Sequence, residues 1–343
     1  MITKPDGSPA SRWCGPRRPP GGILSRSPLL VGYLSLSLFS PVTGDRFRCS
    51  VSCVSLTASP GTGQVTGQGD VPCRCGEKVN TVRKKYKGTK SGKGKKKKKV
   101  VVSARSMLGL SRIVGGVTAP AGSVPWQVSL AVSGSIFCGA TLLTDRHLLT
   151  AAHCLAGVQA KLYNMVDILL AEYDTQDTTP PVKRKISKVI LHPGFDEETL
   201  QNDLAVITLR RPVSIGQGSR MVPACLPPAS FYPQANSLAT VTGFGTTSED
   251  TDQPSPRLLT VDVNIISNSQ CRSMNSVYGS KVVSTMMCAG VPAGGRDACK
   301  RDSGGPLTQT AAGQSSVVGV VSWGQGCADA RYPGVYTRHG IFS

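Results

Sequence analysis

From Ile113 onward the chain alternates between short apolar runs and polar breaks, with about ten residues from one run to the next. The runs are "WQVSLAV", "ATLLT", "MVDILLAEY", "ISKVILH", "DLAVITL", "SLATVTGFG", "LLTVDVNII" and "SVVGVVSWG", and Gly, Pro, Asn and Asp separate them. That texture predicts an all-β fold, a barrel or a sandwich. Helix is scarce: only "SNSQCRSM" near Ser267 reads as one, with Ser or Asn as its N-cap. No G-x-G-x-x-G, phosphate-binding loop or heptad occurs.

Before Ile113 the pattern is missing. Residues 1–72 are rich in Pro, Gly and Ser with little periodicity, which predicts a low-complexity, disordered leader. Residues 73–112 hold "CRCGEKVN", the basic run "RKKYKGTKSGKGKKKKK" and "SARSMLGLSR". Like charges at that density repel, so the run reads as a solvated linker. It is also a candidate polyanion-binding segment, though no aromatic or folded element accompanies it. The chain thus divides into a leader (1–72), a Cys-containing, Lys-rich segment (73–112) and a folded domain (113–343).

Composition sharpens this in two ways. Of 343 residues 39% are hydrophobic, enough for a core, and the formal net charge is +19. Twelve cysteines argue for an oxidising compartment. Their spacing is not that of a zinc module: "CRC" is one residue too tight for C-x-x-C, and His147, His153, His192 and His339 are scattered. No metal and no cofactor are therefore expected. "SPLLVGYLSLSLFSPV" follows Arg17, Arg18 and Arg26 and has the apolar character of a secretion signal. It starts far from Met1, contains two prolines and is too short for a membrane span. A secreted protein, with no membrane and no specific nucleic-acid partner, is the expectation.

Three short motifs carry the chemistry: "TAAHC" with His153, "NDLAVITL" with Asp203 and "RDSGGP" with Ser303. A serine hydroxyl is a weak nucleophile at neutral pH and needs a base, for which histidine is suited. The base needs a buried carboxylate to fix its tautomer. Glycines after the serine permit a backbone that offers N–H groups to a developing oxyanion. Singly, each residue reads as a packed histidine, a turn aspartate or a loop serine. Together, in the order His, Asp, Ser, they form a candidate triad. An α/β-hydrolase would need G-x-S-x-G and the order Ser, Asp, His; here Arg301 stands two before Ser303.

"RIVGG", "LLTAAHC", "NDLAVITL", "DSGGPL" and "VVSWGQGC…YPGVYTR" resemble the chymotrypsin/trypsin family of secreted serine endopeptidases, over Ile113 to Arg338. The resemblance implies two packed six-stranded antiparallel β-barrels, with His153 and Asp203 from the first and Ser303 from the second. It implies an inactive precursor: a cut after Arg112 frees the Ile113 amino group, which turns inward to pair with Asp302. The activator would be a trypsin-like protease. The same resemblance makes Asp297 the base of the primary specificity pocket, beside Ala298. Gly324 and Gly334 become the pocket walls, and Ser322, Trp323 and Gly324 the edge that holds substrate backbone as an added strand. A carboxylate at the bottom of a narrow slot selects Arg or Lys in protein and peptide substrates.

The resemblance further implies disulfides Cys138–Cys154, Cys271–Cys288 and Cys299–Cys327. It leaves Cys225 to pair with Cys73 or Cys75, tethering the leader after activation. Another family disulfide is missing at both ends, where Ala239 and Gln309 stand. The backbone N–H groups of Arg301 and Ser303 would form the oxyanion hole. Most relatives have glycine at Arg301, so a long cation there should weaken protein protease inhibitors. "AEYDTQDTTPPVKRK" lacks most carboxylates of the family's calcium loop, so bound calcium is not expected. The family's C-terminal helix has no counterpart before Ser343. "DRFRCSV" and "CRCG" resemble segments of CUB-linked proteases. A trypsin-like endopeptidase is the leading reading; the alternative is a catalytically weak homologue that binds polyanions through its Lys-rich segment.

Overall fold

The computed structural model describes residues 75–79 and 113–338, save 217, 229 and 230. The leader, the apolar stretch from Ser27, Cys73, the basic run, Arg112 and the chain after Arg338 lie outside the described residues.

Six strands close into a first barrel: β2 (Gln127–Val132), β3 (Ser135–Leu142), β4 (His147–Thr150), β5 (Val166–Leu170), β6 (Val182–Leu191) and β7 (Ala205–Leu209). Their order is β2-β3-β4-β7-β6-β5, antiparallel throughout. A second set comprises β8 (Leu238–Gly243), β9 (Leu259–Ile266), β10 (Met286–Gly290), β11 (Pro306–Ala311), β12 (Gln314–Trp323) and β13 (Gly334–Arg338). These run β9-β10-β13-β12-β11-β8 and close where β8 pairs with β9; the two-residue β1 (Val117–Thr118) adds to the outside of β9. The fold is all-β with two six-stranded antiparallel barrels.

The apolar pattern explains the strands that face water. In β9, Leu259, Val261, Val263 and Ile265 are buried, while Thr260, Asp262 and Asn264 between them are not, the period of two of a half-buried strand. β2 differs, since Gln127 and Ser129 are buried along with Val128 and Leu130. Its outer face meets the second barrel, where Thr242 Oγ1 donates to Gln127 Oε1 at 2.7 Å. Glycine lets the barrels touch: a Cβ on Gly139 of β3 would lie 2.8 Å from Gly305 Cα.

The helix near Ser267 is α1 (Asn268–Met274), and the Ser267 side chain accepts from Gln270 N–H as its N-cap. A second short helix, α2 (Ser276–Lys281), and a 3-10 turn at Ala160–Met165 had no apolar periodicity to announce them. α2 starts on Asn275, whose side chain accepts from Tyr278 N–H at 2.9 Å.

Four disulfides close the described part: Cys75–Cys225, Cys138–Cys154, Cys271–Cys288 and Cys299–Cys327. The segment around Cys75 is docked by its backbone. Gly76 N–H donates to Pro223 O, Ser315 N–H donates to Gly76 O, and Val79 N–H donates to Gly122 O. A side chain at Gly76 would collide with the Ser315 backbone. At Gln309, one of the two positions at which the resemblance implied a missing disulfide, Nε2 donates to Ser237 Oγ and Leu238 O.

Candidate active site

Asp203 sits just before β7 with its side chain wholly buried. Its Oδ1 accepts the backbone N–H of His153 at 2.9 Å, and its Oδ2 accepts from His153 Nδ1 at 2.7 Å. Ser322 Oγ, at the end of β12 in the second barrel, donates to the same Oδ2 at 2.5 Å. One carboxylate thus fixes the imidazole and ties the two barrels together. His153 follows the buried Ala151 and Ala152 and precedes Cys154, whose disulfide to β3 anchors the turn. The imidazole is about a quarter exposed, so Nε2 can reach a reactant.

Ser303 lies on the turn before β11, pinned across the barrel boundary by Gly139 N–H, which donates to Ser303 O at 2.7 Å. His153 Nε2 rests 3.8 Å from the Cys154 sulfur and is not hydrogen-bonded to Ser303 Oγ. Such bonds often tighten only around a substrate. The turn leaves its N–H groups in an alternating state. Those of Asp302, Gly304 and Gly305 donate to Cys299 O, Val321 O and Asp302 O. Those of Arg301 and Ser303 have no backbone acceptor among the described residues.

Arg301 adopts φ 74°, a region that glycine favours. Its guanidinium crosses to the first barrel, where Nη1 donates to Ile136 O at 2.8 Å and to Ser135 Oγ at 3.3 Å.

Two further carboxylates are buried nearby. Asp302 accepts from Gly245 N–H at 2.8 Å and Cys299 N–H at 3.0 Å. Burial pushes its carboxyl up to about 7, and those two N–H donors oppose the rise. Ile113 is fully buried in the same apolar cluster as Ala298 and Tyr336. Asp297 is 3% exposed. Its carboxylate accepts from Ala298 N–H at 2.8 Å and from the Tyr336 hydroxyl at 3.5 Å. Burial pushes this carboxyl up to about 7 as well; the Ala298 and Ala328 N–H groups pull against that and the Asp302 charge adds to it. Gly334 must lack a side chain, since a Cβ would lie 2.6 Å from Asp297 Oδ1. Gly324 faces it: a Cβ there would stand 3.9 Å from Gly334 Cα.

A family profile described as Trypsin matches residues 113–343. The chain belongs to the trypsin family. Trypsin delta of Drosophila erecta is 40% identical over 225 residues, 66% of this chain and 83% of that relative. Trypsin beta of the same fly is 42% identical over the same span. Serine protease 56 of Mus musculus is 40% identical over 235 residues, 67% of this chain but 37% of that relative. The protein is a trypsin-family serine protease, a hydrolase whose kinds of partner are protein substrates and protease inhibitors. Trypsin-family proteins are typically secreted, and no described helix is long and apolar enough to cross a membrane.

The trypsin-family motifs did not announce every residue around the site. The Tyr278 hydroxyl donates to Pro333 O, accepts from Gln325 N–H, and its ring packs edge-on against Trp323 at 5.2 Å. Burial pushes the Tyr278 phenol up to about 12, so it stays a neutral donor. Ser322 had been assigned for its backbone alone; its hydroxyl also holds Asp203. Glu249, in the loop after β8, reaches Cys327 N–H. Nothing periodic in the sequence marks Tyr278 or Glu249.

Proposed function

We propose that the chain is an endopeptidase that cuts after Arg, and less readily after Lys, by a His153–Asp203–Ser303 triad. Ser303 Oγ attacks the scissile carbonyl while His153 Nε2 takes its proton. Asp203 keeps the proton of the imidazole on Nδ1 and stabilises the imidazolium. The N–H groups of Arg301 and Ser303 receive the oxyanion. His153 then returns the proton to the leaving amine, and water repeats the sequence on the acyl-enzyme. The observation that carries this reading is the buried Asp203 carboxylate on His153 Nδ1 at 2.7 Å, next to a serine turn with two N–H groups lacking a backbone acceptor.

Specificity rests on Asp297, a buried carboxylate whose donors are the Ala298 N–H and the Tyr336 phenol rather than a cation. A guanidinium between Gly324 and Gly334 would pair with it directly. Ala298 offers no hydroxyl to hold the shorter Lys ammonium, which favours Arg by an amount on the order of 1 kcal/mol. The backbone from Ser322 to Gly324 would take the substrate as an added strand.

The chain is made as a precursor in this reading. A trypsin-like activator cuts after Arg112, the Ile113 ammonium pairs with Asp302, and the Cys75–Cys225 disulfide keeps the leader attached and the Lys-rich segment available to polyanions. One observation favours a second reading, a catalytically weak homologue acting by binding: Arg301 holds a glycine-like φ inside the oxyanion turn.

The test treats the full chain with immobilised trypsin, removes it, and assays matched Arg and Lys coumarin amides with and without a serine-directed fluorophosphonate. Turnover and labelling that vanish in Ser303→Ala, with Arg ahead of Lys, are expected. A chain verified as cut after Arg112 that neither turns over substrate nor takes the label would overturn the proposal in favour of the binding homologue.

A further inference from the structure

The wall of the pocket beyond β12 has an unusual support. After Trp323 the backbone leaves the sheet through Gly324, Gln325 and Gly326, the last at φ 74°. Its N–H groups therefore lose their ladder partners and need others. Gln325 N–H finds the Tyr278 hydroxyl at 3.2 Å. Cys327 N–H finds the Glu249 carboxylate, which lies in the space that a side chain on Gly326 would fill.

Glu249 is itself anchored. Lys300 Nζ donates to Glu249 O at 2.9 Å and reaches Asp252 Oδ1 at 3.3 Å. Thr246 N–H donates to Lys300 O at 2.9 Å, so both ends of this loop are fastened to the residue three before Ser303. The carboxylate is thus the far end of a brace from the serine turn to the pocket wall.

The residue after Cys327 makes the brace matter. Ala328 stands at φ 62°, a strained conformation for alanine that persists only if its surroundings hold it. Its carbonyl accepts from Gly295 N–H at 2.7 Å, two residues before Asp297, and its own N–H helps to hold the Asp297 carboxyl down. Cys327 is fixed on its other side by the disulfide to Cys299.

We propose that Glu249 is a positioning residue for the specificity pocket: by holding Cys327 N–H it keeps in place the strained Ala328 turn, which is fastened to Gly295, two residues before Asp297. The inference rests on the reading of Asp297 as the pocket base. The Glu249 side chain does not touch the bound cation; it acts through two consecutive peptide groups. Loss of the brace frees the Ala328 peptide to move away from Asp297, so that its N–H holds the carboxyl down less. Besides that N–H, the groups facing Asp297 are Ala298 N–H, the phenols of Tyr336 on β13 and Tyr278 on α2, and the Asp302 carboxylate.

The experiment measures p-aminobenzamidine fluorescence on the full chain, cut after Arg112, across pH 5 to 9. Glu249→Ala is expected to weaken binding roughly 3- to 10-fold, the effect of one hydrogen bond. Its acid limb should move to higher pH, and KM for a small Arg amide should rise more than kcat falls. Glu249→Gln keeps the acceptor oxygen and should restore binding to within about twofold of the parent. Equal affinity of parent and Glu249→Ala overturns the inference, as does a Gln variant as weak as Ala. A merely structural role predicts a lowered Tm with an unmoved acid limb, which also overturns it. Should the parent fail to bind the probe, or bind it unchanged as Asp297→Asn, the Asp297 reading falls first; a parent that binds while Glu249→Ala binds equally sinks this inference alone.

Discussion

Replacing Arg301 with glycine should separate small substrates from protein inhibitors. Two local energies oppose one another. The φ of 74° costs a non-glycine residue ~1–2 kcal/mol. The guanidinium recovers part of this through its bonds to Ile136 O and Ser135 Oγ, hydrogen bonds of a charged group worth about 1.5–3 kcal/mol when well shielded and less at this half-open edge. Arg301→Gly should therefore change stability by less than about 1 kcal/mol in either direction. The backbone N–H survives in both forms, so kcat on small Arg amides should rise only a few-fold. An inhibitor that fills both sides of the cleft meets a different cost. It must take the leaving-group side past the guanidinium and displace it from Ile136 O. Breaking that bond at a half-open edge costs the inhibitor roughly threefold to tenfold in Ki, and glycine returns it. The assay titrates parent and variant with a Kunitz-type inhibitor against one small Arg amide, both proteins being active-site counted with fluorophosphonate. A Ki that moves no more than the small-substrate rate would refute the reasoning. A parent that is inert after verified cleavage, beside a vigorous glycine variant, would show that strain in the oxyanion turn was underestimated.

Two further outcomes are expected. Arg112→Gln should remain inactive under treatment that activates the parent, whose new N-terminus should read IVGGV by sequencing; full activity of the uncut variant would contradict the Asp302 pairing. Benzamidine affinity of the uncut chain should fall as pH drops below about 7, approaching tenfold per unit, because Asp297 with its raised carboxyl takes up a proton and loses its charge, and the limb of the cut chain should lie lower; Asp297→Asn should bind weakly with no such limb, and an unchanged pH profile in that variant would count against the pocket assignment.

The barrels were legible wherever one face of a strand meets water. β9 announces itself by alternation, and β7 by the continuous run "AVITL". β4, with four residues, and β10, with five, are too short to show a period, and β10 is buried on both faces. β13 begins on Gly334, where a Cβ would collide with Asp297, so its sequence is set by that close approach as much as by the sheet. The site divides in a similar way. His153 and Asp203 stand 50 residues apart, and only their motifs relate them in the sequence, whereas the structure joins them by two hydrogen bonds. Gly243 and Gly245 close the run "SLATVTGFG" with nothing to mark them in the sequence; in the fold a side chain on either would collide with the Asp302 carboxylate. Glu249 stayed invisible because its meaning depends on a backbone N–H 78 residues away that no motif advertises.

Asp297 and Asp302 pose one electrostatic problem twice. Both are buried, both have carboxyls pushed from an ordinary 3.8 to about 7, and desolvation is the main cause in each. In the uncut chain the folded state therefore binds protons that the unfolded state releases. The stability these groups contribute is complete below about pH 4 and is lost as pH rises through about 7. In the proposed mechanism a cation would reverse the balance at either site: the Ile113 ammonium at Asp302, a substrate guanidinium at Asp297. The two are coupled, because the Asp302 charge is among the causes that raise Asp297. An ammonium on Asp302 screens that charge and makes the ionised Asp297 less costly, so cleavage after Arg112 should favour cation binding as well as ordering the turn. By linkage the favour is returned: a cation in the pocket must stabilise the inserted Ile113 by the same factor. Thermal scans of cut and uncut chain with and without benzamidine read that coupling directly. The cut form should gain the larger Tm increment at equal ligand concentration. Equal increments would mean that the two carboxylates are filled independently, and that activation shapes the pocket without changing its charge.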